Sequence, residues 1–120
     1  MNIIATIFVV IVAVEHLYIM FLETFATTSK KTAQTFKLKQ NVLKNKNIQV
    51  LLKNQGIYNG LIALVLLYSA LLSHNSKEMV VILLIFIILA SIYGGITSST
   101  SIILKQGGPA FIALLLVVFL

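Results

Sequence analysis

Two ionisable side chains stand next to each other in the first hydrophobic segment of the chain. Glu15 and His16 are surrounded by apolar residues, and Glu23 follows seven positions after His16, on the same face of a helix. A carboxyl beside an imidazole can exchange protons near neutral pH, so the two form a candidate catalytic acid/base pair. The alternative is a structural role, in which both side chains form hydrogen bonds with polar groups on neighbouring segments.

Uncharged polar side chains occur in the other hydrophobic segments. In the second segment Asn54 and Tyr58 are four residues apart, as are Gln55 and Asn59, so a helix carries them as a polar stripe. Such a stripe either lines a ligand pocket or joins helices by hydrogen bonds. We expect these polar residues to bind a ligand: Tyr18, Gln55, Tyr58, Asn59, Tyr93 and Gln106.

Glu23 lies close to a lysine-rich loop, and we expect it to form a structural ion pair. Its candidate partners are Lys30, Lys53 and Lys105. A metal site is not expected, because the hydrophobic segments hold one histidine and the chain has no cysteine. We expect no other cofactor either.

The elements that carry these residues follow from composition. Of the 120 residues, 59% are hydrophobic and only 10% are charged, against about 25% in an ordinary soluble domain. A short soluble fold cannot bury so much apolar surface. Because backbone amides in lipid need internal partners, the apolar stretches must be helices. We predict an all-α integral membrane four-helix bundle, one domain over 1–120, with helices at about 3–25, 48–72, 79–97 and 109–120.

The fourth stretch is too short to cross a bilayer, since it makes only about 17 Å of helix. One remedy is a helix that begins near Thr100 and bends at Gly107, Gly108 and Pro109. The other is a half-helix that begins inside the membrane with Pro109 at its first position. Its N-terminus would then point at Glu15 or at an anionic ligand.

Lysines set the predicted orientation. Most of the positive charge lies in the first loop, residues 26–47, and arginine is absent. Positive loops stay in the cytoplasm, so we expect this loop inside and both termini outside. The apolar start lacks the features of a signal peptide, and we read it as a retained helix. Within the loop, the stretch from Phe36 to Leu52 is either an amphipathic helix on the inner leaflet or a solvated basic loop.

The partners that follow are the lipid bilayer itself and anionic lipid headgroups at the lysine-rich loop. Nucleic acid is not expected. Counting inward from the outer face places Glu15, His16, Asn59 and Tyr93 at a similar depth of roughly 20 Å. Because intramembrane polar groups are costly, this common layer predicts a site.

Four short runs resemble a known family. They are EHLYIM at 15–20 with Glu23, NQGIYNG at 54–60, YG at 93–94 and QGGPA at 106–110. These runs are similar to the domain of unknown function 1304 family, small bacterial integral membrane proteins with four predicted spans. The resemblance implies the same fold and a location in the bacterial cell membrane. It implies no particular activity, and the long lysine-rich first loop looks particular to this sequence.

The sequence therefore favours a polar pocket in the cytoplasmic half of the bilayer that binds a small apolar or amphiphilic molecule, with Glu15 and His16 handling protons. Such a pair could extend binding to acid/base catalysis. One alternative is a proton-coupled small-molecule exporter that acts as a homodimer, by analogy of size and charge placement. The other is a non-catalytic membrane subunit whose glycine faces, at Gly56 and Gly60, dock a larger partner.

Overall fold

The regular structure of the chain is helical. In the computed structural model, which describes residues 1–74 and 77–120, every regular element is an α-, 3₁₀- or π-helix. This confirms the predicted all-α class. The α-helices are α1 (Ile3–Met20), α2 (Lys30–Phe36), α3 (Lys46–Leu71), α4 (Lys77–Thr97) and α5 (Gly108–Phe119).

Two of these helices adjoin π-helical turns. One turn, Phe21–Phe25, extends α1, and the other, Ile103–Gly107, leads directly into α5. A π-helical turn inserts one residue into a helix, which rotates the side chains beyond it relative to those before it. Both turns hold polar residues that the sequence marked as candidates.

Short polar side chains begin the helices. The Asn2 side chain accepts a hydrogen bond from the Ile4 amide at 2.8 Å, and Asn45 accepts one from Asn47 at 2.8 Å. Ser29 caps α2 by accepting from the Thr32 amide at 3.1 Å. Each cap satisfies backbone N–H groups that have no partner inside the helix.

Small residues let the long helices approach each other. α1 packs mainly against α3 and α5, and α4 packs against α5 and α3. The buried core is mostly alanine, valine and leucine, among them Ala5, Val9, Ala63, Leu84, Ala110 and Ala113. A Cβ atom at Gly56 would collide with Thr24, and one at Gly60 with Met20. Both glycines therefore serve contacts within the chain.

The fourth hydrophobic segment begins earlier than its apolar run. A helix covers Ile103–Phe119 without interruption, about 25 Å in length. Proline lacks an N–H and its ring crowds the carbonyl four residues earlier, which the wider π-helical turn before Pro109 can accommodate. Gly107 and Gly108 both have right-handed helical angles. The second alternative, a half-helix that starts at Pro109 and points at Glu15, therefore does not occur.

The first loop contains the short helix α2, which precedes the stretch from Phe36 to Leu52 that the sequence offered as an amphipathic helix. Phe36 ends α2, a 3₁₀ turn covers Val42–Lys44, and the following residues belong to α3. The joint between α1 and α2 is held by Thr32, whose buried hydroxyl donates to the Ala26 carbonyl at 2.6 Å.

The outer surface of the bundle is largely apolar. Three helices, Ile3–Phe25, Lys46–Leu71 and Lys77–Thr97, are long and apolar enough to cross a membrane. Large side chains such as Ile3, Leu61 and Phe86 are more than half exposed along them. An exposed apolar surface of this extent marks a region that contacts lipid or protein.

Candidate functional site

A cavity of about 470 Å³ lies between α1, α2 and the π-helical turn before α5. This volume falls within the usual range for small-molecule sites. We call it the Glu15 cavity. Its wall consists of three groups of residues: Glu15, Tyr18 and Ile19 from α1; Lys31, Thr35 and Phe36 from α2; and Ile102, Leu104, Lys105, Gln106 and Pro109 from the segment leading into α5.

Glu15 is the carboxylate of this wall. Tyr18 and Ile19 are three and four residues further along α1, so helical geometry turns all three side chains towards the cavity. Among the described residues, 1–74 and 77–120, Oε1 of Glu15 is a buried oxygen with no hydrogen-bond partner. A buried acceptor without a partner costs free energy, so Glu15 would be stabilised by turning this carboxyl towards a donor in the cavity.

His16 does not share this cavity. Its side chain is only 3% exposed, and its Nδ1 lies 2.9 Å from the Val12 carbonyl one turn earlier in the same helix. Consecutive residues of an α-helix project about 100° apart, which sends His16 into the bundle while Glu15 faces the cavity. The two members of the expected acid/base pair therefore point in different directions.

Two of the expected ligand-binding residues line the Glu15 cavity. Tyr18 contributes a phenol and Gln106 contributes an amide, both within reach of a molecule bound beside Glu15. Gln106 belongs to the π-helical turn Ile103–Gly107, which brings it and Lys105 into the same wall. These residues come from opposite ends of the sequence.

The other expected binding residues lie elsewhere. Tyr58 is 69% exposed and Tyr93 is 70% exposed, both on the outer surface of the bundle, and Gln55 is exposed as well. Tyr58 lies midway between Gly56 and Gly60, so it points away from the face of α3 that packs on α1. The similar depth estimated from the sequence for Tyr93 and Glu15 does not bring these two side chains together, because they face different directions.

Tyr93 has a similar explanation in α4. It lies midway between Ser91 and Gly95, which are buried and face the segment leading into α5. Tyr93 is two positions from each of these residues and is therefore turned about 200° around the helix from both, so its side chain faces outward.

Glu23 has an amide partner where a lysine was expected. Asn59 donates from Nδ2 to Oε1 of Glu23 at 2.7 Å, and Glu23 is only 1% exposed. The π-helical turn Phe21–Phe25 holds this carboxyl against α3, next to the close approach at Gly56. Of its proposed partners, Lys105 instead donates to the Thr35 carbonyl at 3.3 Å.

Eight of the eleven wall residues were not marked in the sequence as catalytic or binding residues, including three from α2 and one from the start of α5. Lys31, Thr35 and Phe36 come from α2, and Pro109 from the start of α5. Ser29 capping the amide of Thr32 is a recognisable start signal for the short helix that carries the first three. What the local pattern lacks is any sign that this helix shares a cavity wall with α1.

A smaller groove of about 240 Å³ lies beside the π-helical turn, between α4 and α5. Leu104 belongs to the walls of both cavities, and the rest of the groove is almost wholly apolar, with Ile88, Ile92 and Phe111 among its residues. It offers no titratable group.

The fold is that of a small all-α protein with three helices apolar enough to cross a membrane. Its site is a cavity lined by the carboxylate Glu15 and by residues of the lysine-rich first loop. The chain belongs to the protein of unknown function family DUF1304, which it matches over residues 10–118. This confirms the resemblance seen in its sequence runs. It is also 49% identical over 115 residues to the uncharacterized protein YpaA of Lactococcus lactis subsp. lactis (strain IL1403), covering 96% of this chain and 97% of that protein. No solved structure matches the chain.

Proposed function

We propose that this chain is a multi-pass protein of the bacterial cell membrane, with its lysine-rich end in the cytoplasm and both termini outside. The three long apolar helices and the apolar outer surface support insertion in lipid. The contact between Lys105 and Thr35 supports a common side for the first loop and the segment that joins α4 to α5. A cytoplasmic location for that side follows the distribution of lysines in membrane proteins.

Within this membrane protein, we propose that the Glu15 cavity binds a small amphiphilic molecule. The observation that carries this proposal is that Glu15 lines the cavity wall while its buried Oε1 has no partner among the described residues. The ligand supplies a hydroxyl or amino group that donates to this oxygen. Its apolar part packs on Ile19, Phe36 and Ile102, while Tyr18 and Gln106 orient its polar groups.

The geometry supports binding more strongly than acid/base catalysis by a pair. Glu15 alone faces the cavity, because His16 is buried away from its wall with Nδ1 at the Val12 carbonyl. A general acid or base must come within hydrogen-bond reach of the group on which it acts. In this proposal Glu15 contacts the ligand and His16 has a packing role.

Native mass spectrometry of protein purified from its own membrane tests this proposal. We expect the wild-type protein to carry a bound small molecule, released when collision energy is raised. Glu15→Gln replaces the carboxylate by a neutral amide of the same shape, which is a weaker acceptor, and should lower the bound fraction about tenfold, as expected for the loss of a hydrogen bond to a charged acceptor. The released molecule can be identified by its mass.

Glu78→Gln is the matched control, since Glu78 is exposed at the start of α4 and does not line the cavity. We expect this variant to retain the same bound fraction as wild type. A wild-type spectrum without any adduct, or equal adduct in the Glu15→Gln protein, contradicts binding at this site.

A further inference from the structure

The entrance of the Glu15 cavity carries two lysines from distant parts of the chain. Lys31 lies in α2 and Lys105 in the π-helical turn before α5, and both belong to the cavity wall. One cation therefore comes from the segment between α1 and α3, and the other from the segment between α4 and α5. The sequence contains seven further lysines that do not line this cavity, so a general excess of positive charge does not by itself place these two there.

The charges of the cavity wall are not balanced. Glu15 is the one carboxylate among the wall residues, and its buried Oε1 faces no donor among residues 1–74 and 77–120. Lys31 and Lys105 are exposed, whereas Glu15 is half-buried and its Oε1 is inaccessible to solvent. The lysines are therefore the exposed members of the wall, and the carboxylate is a more buried one.

Lys105 is fixed in place without being neutralised. Its Nζ donates to the Thr35 carbonyl at 3.3 Å, which ties the segment before α5 to α2. An ammonium group has three donors, so two remain for another acceptor. A backbone carbonyl carries no formal charge, and the positive charge stays available to an anion.

We propose that the two lysines bind a carboxylate or phosphate group, so that the ligand of this cavity is an anionic amphiphile with a hydrogen-bond donor at its other end. This inference rests on the proposed function. The anionic group contacts Lys31 and Lys105, the apolar stretch lies along Phe36 and Ile102, and the donor reaches Glu15. A purely apolar molecule would supply neither a donor to Glu15 nor a negative charge to the two lysines.

Calorimetric titration of the full-length protein in a non-ionic detergent tests this inference with three probes. The probes are 10-hydroxydecanoate, which has both polar ends, 1-decanol, which lacks the carboxylate, and acetate, which lacks the chain. We expect 10-hydroxydecanoate to bind about tenfold more tightly than 1-decanol, as one charge-assisted contact provides. Acetate should not compete with it.

The variant K31Q/K105Q removes both cations of the cavity wall. The control K39Q/K44Q removes two exposed lysines of the first loop that do not line the cavity. The first should raise the dissociation constant of 10-hydroxydecanoate about tenfold and leave 1-decanol unchanged. The second should leave both probes unchanged. The inference is overturned if the two variants weaken the binding of 10-hydroxydecanoate equally, or if wild type binds 10-hydroxydecanoate and 1-decanol with equal affinity. It is also overturned if acetate binds as tightly as 10-hydroxydecanoate.

Glu15→Gln separates this inference from the function on which it rests. If Glu15→Gln weakens 1-decanol while K31Q/K105Q does not affect 10-hydroxydecanoate, only the anionic part is wrong. If Glu15→Gln changes the binding of neither probe, the proposed binding site itself is wrong.

Discussion

Asn59 on α3 donates a hydrogen bond of 2.7 Å to the buried carboxyl of Glu23, in the π-helical turn that extends α1. Gly56, three residues before Asn59 in α3, lies so close to the turn that extends α1 that a Cβ atom added to it would collide with Thr24. The amide–carboxyl bond and the glycine contact thus hold the same pair of elements together. Both can be tested by substitution.

Asn59→Ala should destabilise the protein by about 1–2 kcal/mol, because it leaves the buried Glu23 without its donor. The measurement is thermal unfolding in detergent, followed by circular dichroism. Asn54→Ala is the matched control on the same helix, since Asn54 is exposed. If Asn54→Ala costs as much as Asn59→Ala, the bond to Glu23 is not what stabilises this contact.

Gly56→Ala should cost about 1–3 kcal/mol of stability through overpacking. The added Cβ would lie 3.0 Å from Glu23 Cβ and 3.1 Å from the Thr24 backbone nitrogen, neither of which can move freely. Gly108→Ala provides the control, because nothing lies within 4 Å of the position its Cβ would take. We expect that variant to unfold at the wild-type temperature or slightly above it, and a loss equal to that of Gly56→Ala would contradict the packing argument.

Membrane orientation can be tested with single cysteines, because the chain has none of its own. His74→Cys lies at the end opposite the lysine-rich loop and should react with a membrane-impermeant maleimide in intact cells. Lys44→Cys should react only after the membrane is permeabilised. Labelling of Lys44→Cys in intact cells, with His74→Cys protected, would reverse the proposed topology.

The sequence predicts the fold class better than the directions of its side chains. Apolar runs with few charges require helices in lipid, and this argument does not depend on which way a helix faces. In a soluble protein the polar face of a helix marks its exposed side, and the apolar face opposite is the buried one. A helix that is apolar all round gives no such signal. The depth estimate therefore groups Tyr93 with Glu15, and the polar stripe includes Tyr58, although both side chains point outward.

Small residues were the signal that could have oriented these helices. Gly56 and Gly60 mark the packed face of α3, and Ser91 and Gly95 mark that of α4. Each outward tyrosine lies midway between the two small residues of its helix, where helical geometry turns it to the opposite side. Small residues enriched at helix contacts in membranes give this rule a physical basis.

The walls contributed by α2 and by the segment before α5 could not be located from the sequence. Lys31 and Lys105 are separated by most of the chain, and only the tertiary fold brings them to one cavity. Helix α2 has seven residues, too few for its hydrophobic pattern to indicate what it covers. The π-helical turn around Lys105 and Gln106 likewise depends on packing that local patterns do not encode.

Site-specific photo-crosslinking tests most directly whether a small molecule occupies the Glu15 cavity. A diazirine analogue of leucine would replace either Ile102, in the cavity wall, or Leu64, which is 56% exposed on the outer surface. After irradiation in native membranes, the protein labelled at Ile102 should carry one discrete small-molecule adduct that Glu15→Gln abolishes, and the protein labelled at Leu64 should carry only bulk phospholipid. The same phospholipid adducts at both positions, unaffected by Glu15→Gln, would contradict the account.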